Sequence, residues 1–185
     1  GASRLAFWRL ALPLAVPSLV STGLIFHQLT VIAERGLSTT FAAQLFLPHA
    51  AALGVMSIVA GYLIDRFGPK VTFFWGIALL LAAMLLLASV TSAFQAVAYS
   101  VLLGSSEGTT RVVNASIWAH YFGRSDIARL QGAAAMVVIA GTAIGPLPFA
   151  IAASQLGEFS EASRLLCILP LLALALVLAY RAAPD

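Results

Sequence analysis

Apolar residues fill six long segments of the chain, separated by short stretches that contain most of the charges. A helix that crosses a bilayer needs about 20 mostly apolar residues. The six segments lie at about residues 7–32, 40–64, 71–90, 93–118, 128–153 and 163–181. We therefore predict an all-α polytopic membrane protein, with six transmembrane helices forming one domain over residues 1–185.

Strands do not fit this pattern. Strands of a membrane barrel alternate apolar and polar residues, whereas LLLAAMLLLASV at residues 79–90 is apolar almost throughout. Away from water, such a segment must satisfy its own backbone as a helix. The first segment is too long for a signal peptide and contains Pro13 and Pro17, so we expect a retained, kinked helix.

The composition agrees with a membrane protein. Charged residues make up 9% of the 185 residues, against about 25% in ordinary soluble domains. The mean hydropathy is +0.99 and the pI is near 9.5. In a soluble protein this basic balance would suggest nucleic acid, but here the basic residues must first be assigned to the two sides of the membrane.

Counting through the six spans places the basic residues mainly on one side. That side has Arg4, Arg9, Arg66, Lys70, Arg124, Arg129 and Arg181, and the other side has Arg35 and Arg164. The inside-positive rule then puts both termini in the cytoplasm. We expect no nucleic-acid partner, and the short loops favour a bacterial inner membrane.

Six spans of this kind form two groups of three with opposite orientations, as an inverted repeat requires. The first and fourth segments are the most polar. Segment one contains Ser18, Ser21, Thr22, His27, Gln28 and Thr30, and segment four contains Gln95, Ser105, Ser106, Glu107, Thr109, Thr110, Arg111 and Asn114.

Charge, glycine and proline are concentrated in GYLIDRFGPK at residues 61–70, between segments two and three. Asp65 can stabilise the positive end of a helix, while Gly61 and Gly68 let another backbone come close. Arg66 and Lys70 satisfy the inside-positive bias. The simpler alternative is a generic basic loop.

The whole pattern resembles the G-x-x-x-D-R-x-G-x-[RK] motif of the major facilitator superfamily, which lies between the second and third helices of each six-helix half. The resemblance implies a cytoplasmic latch between the two halves. Asp65 would be the latch carboxylate, and Arg66 would be its neighbour in a charge relay.

Gly132, Gly141, Gly145 and Pro146 in segment five have the spacing of that family's antiporter motif. Phe149 and Ala150 stand where the motif ends in glycines, which weakens an antiporter assignment. The alternative is packing alone, because glycines four apart form a close-contact face and prolines bend a helix.

Residues 118–132, 26–28 and 34–36 resemble C-terminal halves of bacterial members related to monocarboxylate and oxalate/formate carriers. Those carriers have about twelve helices. The resemblance implies that this chain corresponds to helices seven to twelve, with the other six-helix half as its partner.

Ionisable residues inside a span cost about 2.5 to 3.5 kcal/mol on insertion scales, so each needs a reason. Glu107 and Arg111 are four residues apart, share a helix face and can pair. Glu107 is a candidate proton-coupling carboxylate. Arg111 serves in structural pairing, in gating or in anion binding, or reaches the interface.

Two histidines complete the candidate set, although a lone histidine in a helix is more often packed and hydrogen-bonded than a proton carrier. The candidate substrate or proton path comprises His27, Gln28, His49, Glu107, Arg111 and Asn114. If the members on segments one and four face one cavity, they supply a cation, an acceptor and a titratable group for a small polar or anionic substrate.

The leading interpretation is a secondary transporter that works by alternating access and is coupled to protons, with no cofactor and no metal. A drug or metabolite efflux antiporter of the same superfamily is an alternative. An intramembrane enzyme fits poorly, because GSSEG at residues 104–108 lacks the final glycine of G-x-S-G and no histidine follows His120. A channel or assembly module leaves the 61–70 motif unexplained.

Overall fold

The computed structural model describes residues 4–123 and 126–180, and their regular secondary structure is entirely α-helical. The helices are α1 (Arg4–Glu34), α2 (Thr39–Gln44), α3 (Phe46–Phe67), α4 (Pro69–Ala88), α5 (Ala93–Phe122), α6 (Ile127–Ile144), α7 (Pro146–Leu156), α8 (Phe159–Leu166) and α9 (Ile168–Ala179). Arg124 and Arg181, two of the basic residues used to predict the topology, lie outside the described residues.

In three cases, two successive helices separated by a single residue form one interrupted rod: α2 with α3, α6 with α7, and α8 with α9. The described elements therefore form six long helical rods. A proline lacks the N–H that would bond the carbonyl four residues earlier. The last residues of α2, α6 and α8 lie four positions before a proline, as the pairs Gln44 and Pro48, Ile144 and Pro148, and Leu166 and Pro170. The all-α prediction with six helical segments is confirmed.

The first rod is not interrupted by its two prolines. Pro13 and Pro17 both lie inside α1, and the helix continues through them for 31 residues. Both prolines are buried against neighbouring helices. Tertiary packing therefore compensates for the backbone hydrogen bonds that α1 loses at these positions.

The two most polar helices occupy equivalent places in the bundle. α1 packs against α6, α7 and α9, whereas α5 packs against α3 and α4. The first helix of each repeat thus contacts the second and third helices of the other repeat. This exchange confirms the inverted repeat of three helices and brings the polar segments into the interior.

Five of the six rods are long and apolar enough to cross a membrane, and α5 is not among them. Its middle turns, residues 103–110, are nevertheless buried by neighbouring helices. Ser106 donates a hydrogen bond of 2.8 Å to the Gly76 carbonyl of α4. The polar centre of α5 is therefore shielded by protein, which is how polar residues are tolerated at membrane depth.

The rods differ in how much of their surface the bundle covers. Only 6% of the apolar stretch of α2 and α3 and 17% of that of α6 and α7 is buried, against 56% for α1. α3 and the rod formed by α6 and α7 flank α5 and α1, and they turn broad apolar faces outward.

Candidate functional site

A cavity of about 460 Å³ lies between α1, α5 and α6, where the two repeats meet. Leu14, Trp118, Ala134 and Val138 contribute apolar walls. The polar lining comes from Ser18, Thr22, Glu107, Thr110, Arg111, Asn114, Gln131 and Thr142. The cavity thus combines a charged and amide-bearing side with an apolar side, as small-molecule sites do.

Glu107 is the centre of the charged side. Its side chain is 11% exposed, and Oε2 accepts a hydrogen bond of 3.1 Å from Nη2 of Arg111. Nε2 of His49 in α3 lies 3.6 Å from the same oxygen. This distance is longer than a hydrogen bond but within the range of an ion pair when the imidazole is protonated. The structure therefore brings together three of the predicted residues around one carboxylate.

His49 reaches Glu107 because α3 and α5 are in close contact. A Cβ atom at Gly104 would collide with the His49 carbonyl, and one at Gly108 would collide with the Leu53 carbonyl. Glycines four residues apart form such a face in membrane helices. We did not predict this contact, although the G-x-x-x-G spacing at residues 104–108 was a signal that could have indicated it.

Asn114 lies one turn beyond Arg111 on the cavity wall. Its Oδ1 accepts a hydrogen bond of 3.2 Å from Nε1 of Trp118, which leaves the amide N–H groups for another partner. Trp118 is 1% exposed and packs against Phe7 and Phe122. Trp118 is a cavity residue that we did not predict.

Gln131 is a second cavity residue that was not predicted. Its Nε2 donates a hydrogen bond of 2.7 Å to the Ala115 carbonyl, and so it connects α6 to α5 at the cavity. The remaining polar residues present mainly acceptors, because the hydroxyl groups of Thr22, Thr110 and Thr142 donate to their own helix backbone at 2.8 to 2.9 Å.

His27 lies elsewhere in the molecule. Its Nδ1 is 2.9 Å from the Gly23 carbonyl and must donate this bond, because a carbonyl only accepts. The ring packs 5.2 Å from that of Phe159. His27 lines a second cavity of about 440 Å³ together with Glu34, Arg35 and Glu158.

Gln28 has a structural position. Its side chain is buried, and Nε2 donates a hydrogen bond of 3.1 Å to the Ala42 carbonyl, which attaches α2 to α1. Of the five candidates on segments one and four that were considered for one cavity, Glu107, Arg111 and Asn114 therefore line it, whereas His27 and Gln28 do not. His27 and Gln28 point elsewhere because they occupy other faces of α1.

The 61–70 motif forms the sharp turn between α3 and α4. Gly68 has a φ of 83°, a conformation that favours glycine, and Pro69 begins α4. Gly61 faces open space in the described part of the chain. Asp65 is exposed and has no hydrogen-bond or ion-pair partner there, while Arg66 donates a bond of 2.9 Å to the Tyr62 hydroxyl.

Lys70, the last motif residue, points back into the bundle. Its ammonium donates hydrogen bonds to the carbonyls of Leu178, at 3.3 Å, and Tyr180. It also lies 5.7 Å from the Tyr121 ring. Lys70 therefore caps the C-terminal end of α9, where backbone carbonyls lack helical partners.

The glycines of segment five pack α6 against α1. A Cβ at Gly145 would collide with the Leu19 carbonyl, and one at Gly141 would lie 3.5 Å from the Ala15 carbonyl. Gly132 faces open space among the described residues, and Pro146 begins α7. Close packing and a helix break thus account for Gly141, Gly145 and Pro146.

Phe149 also has a packing role, at a position where the antiporter motif ends in glycine. It is fully buried and lies against Gly23 of α1, where any side chain would collide with its ring.

Within residues 4–123 and 126–180, no three His, Cys, Asp or Glu residues are grouped so that they could hold a metal ion.

One solved structure with a similar fold is the crystal structure of a bacterial homolog of the human lysosomal transporter Spinster, in an inward-facing and occupied conformation. The TM-score is 0.73 at 16% sequence identity, with 96% of this chain and 49% of that chain covered. The chain therefore spans about half the length of this structure. No curated protein matches the chain.

The sequence itself gives the family. The model of the Major Facilitator Superfamily matches residues 10–185, almost the whole chain. Together with the interlocked repeats and the polar cavity between them, this match leads to one conclusion: the chain belongs to the major facilitator superfamily.

Proposed function

We propose that the chain is one six-helix half of a secondary active transporter that moves a small organic anion together with a proton. Transport would proceed by alternating access between two halves. The observation that carries the proposal is the position of Glu107, held between Arg111 and His49 on the wall of the cavity.

A second half is the partner that the exposed faces favour. The Spinster homolog is about twice as long as the matched region, and α3 and the α6–α7 rod have broad uncovered apolar faces. Such faces suit contact with lipid or with another helix bundle. By resemblance to monocarboxylate and oxalate/formate carriers, this chain would supply helices seven to twelve in a bacterial inner membrane.

Arg111 favours an anionic substrate. Its side chain is 65% exposed, and Nη2 alone is used in the pair with Glu107. A guanidinium has five N–H donors, so several stay available for a carboxylate in a two-bond geometry. The amide N–H groups of Asn114 lie one helical turn away, and Leu14 and Val138 offer apolar contacts to the rest of the solute.

Glu107 and His49 favour coupling to a proton. A substrate carboxylate on Arg111 would bring a second negative charge beside the buried Glu107, and like charges at this distance repel strongly in a low dielectric. A proton on Glu107 or His49 removes that repulsion. Substrate and proton would therefore bind together and be released together.

The latch and the second cavity complete the proposal. Asp65 and Arg66 are exposed at the turn between α3 and α4, where they are available to the other half. His27, whose Nδ1 is held by Gly23, keeps Nε2 available at the second cavity and is proposed as a point of proton entry. Both chain termini would face the cytoplasm.

The test is uptake of labelled small carboxylates by proteoliposomes that contain the chain together with its proposed second half, with and without an inward proton gradient. Glu107→Gln should abolish gradient-driven uptake. Glu161→Gln is the matched control, because Glu161 forms an equivalent pair of 2.9 Å with Arg164 on the exposed surface of α8. Uptake of no carboxylate, or equal gradient-driven uptake by both variants, would overturn the proposal.

A further inference from the structure

A second surface feature lies on the outside of the bundle, where α1 and α9 run side by side. A groove of about 410 Å³ is lined there by Leu5, Trp8, Arg9, Leu12, Leu176 and Tyr180. It shares no lining residue with the cavity between α1, α5 and α6. The groove is therefore a separate site, and the identity of its occupant does not depend on the transport proposal.

The apolar part of the groove follows one face of α1. Leu5, Trp8 and Leu12 recur at spacings of three and four residues, which places them in one row on a helix. Their exposed fractions are 63%, 47% and 56%, so the bundle leaves this row uncovered. In a membrane such a row is in contact with lipid chains.

The groove has a single charge of its own. Arg9 is exposed and forms no hydrogen bond or ion pair within residues 4–123 and 126–180, and no Asp or Glu lines the groove. Arg9 lies within a helix that is long and apolar enough to cross a membrane. In such a helix a guanidinium must reach the interface or bind an anion.

Two neighbours increase the preference for a negative headgroup. Lys70 adds a positive charge next to the groove, because its ammonium donates to the carbonyl of the lining residue Tyr180. Trp8 lies beside Arg9, and tryptophan is enriched at the level of lipid headgroups. In the predicted topology the Arg9 end of the groove faces the cytoplasm, where anionic lipids attract basic residues.

We propose that the α1–α9 groove binds an anionic phospholipid, with its phosphate on Arg9 and an acyl chain along Leu5, Leu12 and Leu176. The occupant is a lipid rather than a soluble anion because the cation and the apolar row belong to one continuous groove on an outer face of the bundle. Zwitterionic lipids fit the apolar row equally well but leave the positive end without a net negative partner.

The test uses Trp8 as a reporter. The protein is reconstituted in phosphatidylcholine vesicles with increasing fractions of brominated phosphatidylglycerol or brominated phosphatidylcholine. Quenching of the tryptophan fluorescence is measured, and the part of it that Trp8→Phe removes is assigned to Trp8. Half-maximal quenching should require an about fivefold lower fraction of brominated phosphatidylglycerol than of brominated phosphatidylcholine. One guanidinium near the membrane surface provides a preference of this size.

Three arginine variants decide the origin of the preference. Arg9→Gln should make the two lipids equivalent, and Arg9→Lys should retain most of the preference because it keeps the charge. Arg164→Gln, which removes an exposed arginine from α8, should leave the preference intact. Equal quenching by the two lipids in the wild-type protein, or an unchanged preference in Arg9→Gln, would overturn the proposal.

Discussion

Nε2 of His49 lies 3.6 Å from the Glu107 carboxylate oxygen that also accepts a hydrogen bond from Arg111. The histidine belongs to α3 and the other two residues belong to α5, so the arrangement exists only while the two helices remain in contact. A proton on the imidazole would compete with the guanidinium for this oxygen. The strength of the Glu107–Arg111 pair therefore depends on the protonation of His49.

We predict that His49→Gln separates proton movement from substrate movement. Net uptake driven by a proton gradient should fall about tenfold or more, because the proposed proton carrier has been removed. Exchange of labelled for unlabelled substrate should continue, since it needs no net proton transfer. His120→Gln, at an exposed position late in α5, is the control. An equal loss of uptake and exchange in His49→Gln would contradict this role.

Arg111→Gln should weaken substrate binding and also destabilise the fold. Substrate affinity should fall about tenfold or more with the loss of a charged hydrogen-bond donor, and the buried Glu107 carboxylate should lose its partner. The double variant with Glu107→Gln should recover thermal stability without recovering affinity. Substrate binding and thermal unfolding measured in the same detergent would check both effects, and Arg164→Gln should change neither. Unchanged affinity in Arg111→Gln would remove this residue from the site.

The space around two glycines predicts different effects when each is replaced by alanine. Gly108→Ala should destabilise the bundle by about 1 to 3 kcal/mol, because the added methyl group collides with the Leu53 carbonyl. Gly132→Ala should be neutral or stabilising by up to about 1 kcal/mol, since it has open space in the described part of the chain and alanine favours helix. Thermal unfolding of the two variants in detergent would measure this difference, and equal midpoints would contradict the close contact.

Within the 61–70 motif, we expect Lys70 to contribute to stability and Asp65 to contribute to transport. Lys70→Met should destabilise the end of α9 by about 1 kcal/mol, because two terminal carbonyls lose a charged donor. Asp65→Asn should leave thermal stability unchanged and slow transport, since the carboxylate has no partner within residues 4–123 and 126–180. Unfolding curves and uptake rates for both variants provide the measurement. A larger stability loss in Asp65→Asn than in Lys70→Met would reverse the assignment.

Several features of the fold could be predicted from the sequence because they depend on composition and length. The six apolar segments coincide closely with the six helical rods, and the motif at residues 61–70 indicated the superfamily to which the chain belongs. The break before Pro146 was also foreseen in kind, since a proline removes a backbone donor wherever it stands in a helix.

The candidate site was predicted less completely. Glu107 and Arg111 could be paired from their spacing, because residues four apart share a helix face. The contact of His49 with Glu107 could not be predicted in this way, because it joins two helices whose relative rotation is not encoded in local spacing. The same uncertainty led us to group His27 and Gln28 with Glu107, although they face a second cavity and α2.

By itself the sequence determined that this chain forms six long helical segments, that it belongs in a membrane and which superfamily it belongs to. A backbone in hydrocarbon has to satisfy its own hydrogen bonds, and apolar length reports directly on that requirement. Only the tertiary structure decided which polar side chains meet. Uniformly apolar helices contain no strong pattern that fixes their facing sides, so contacts such as Gly104 and Gly108 against α3 set the rotation of each helix and the composition of the cavity.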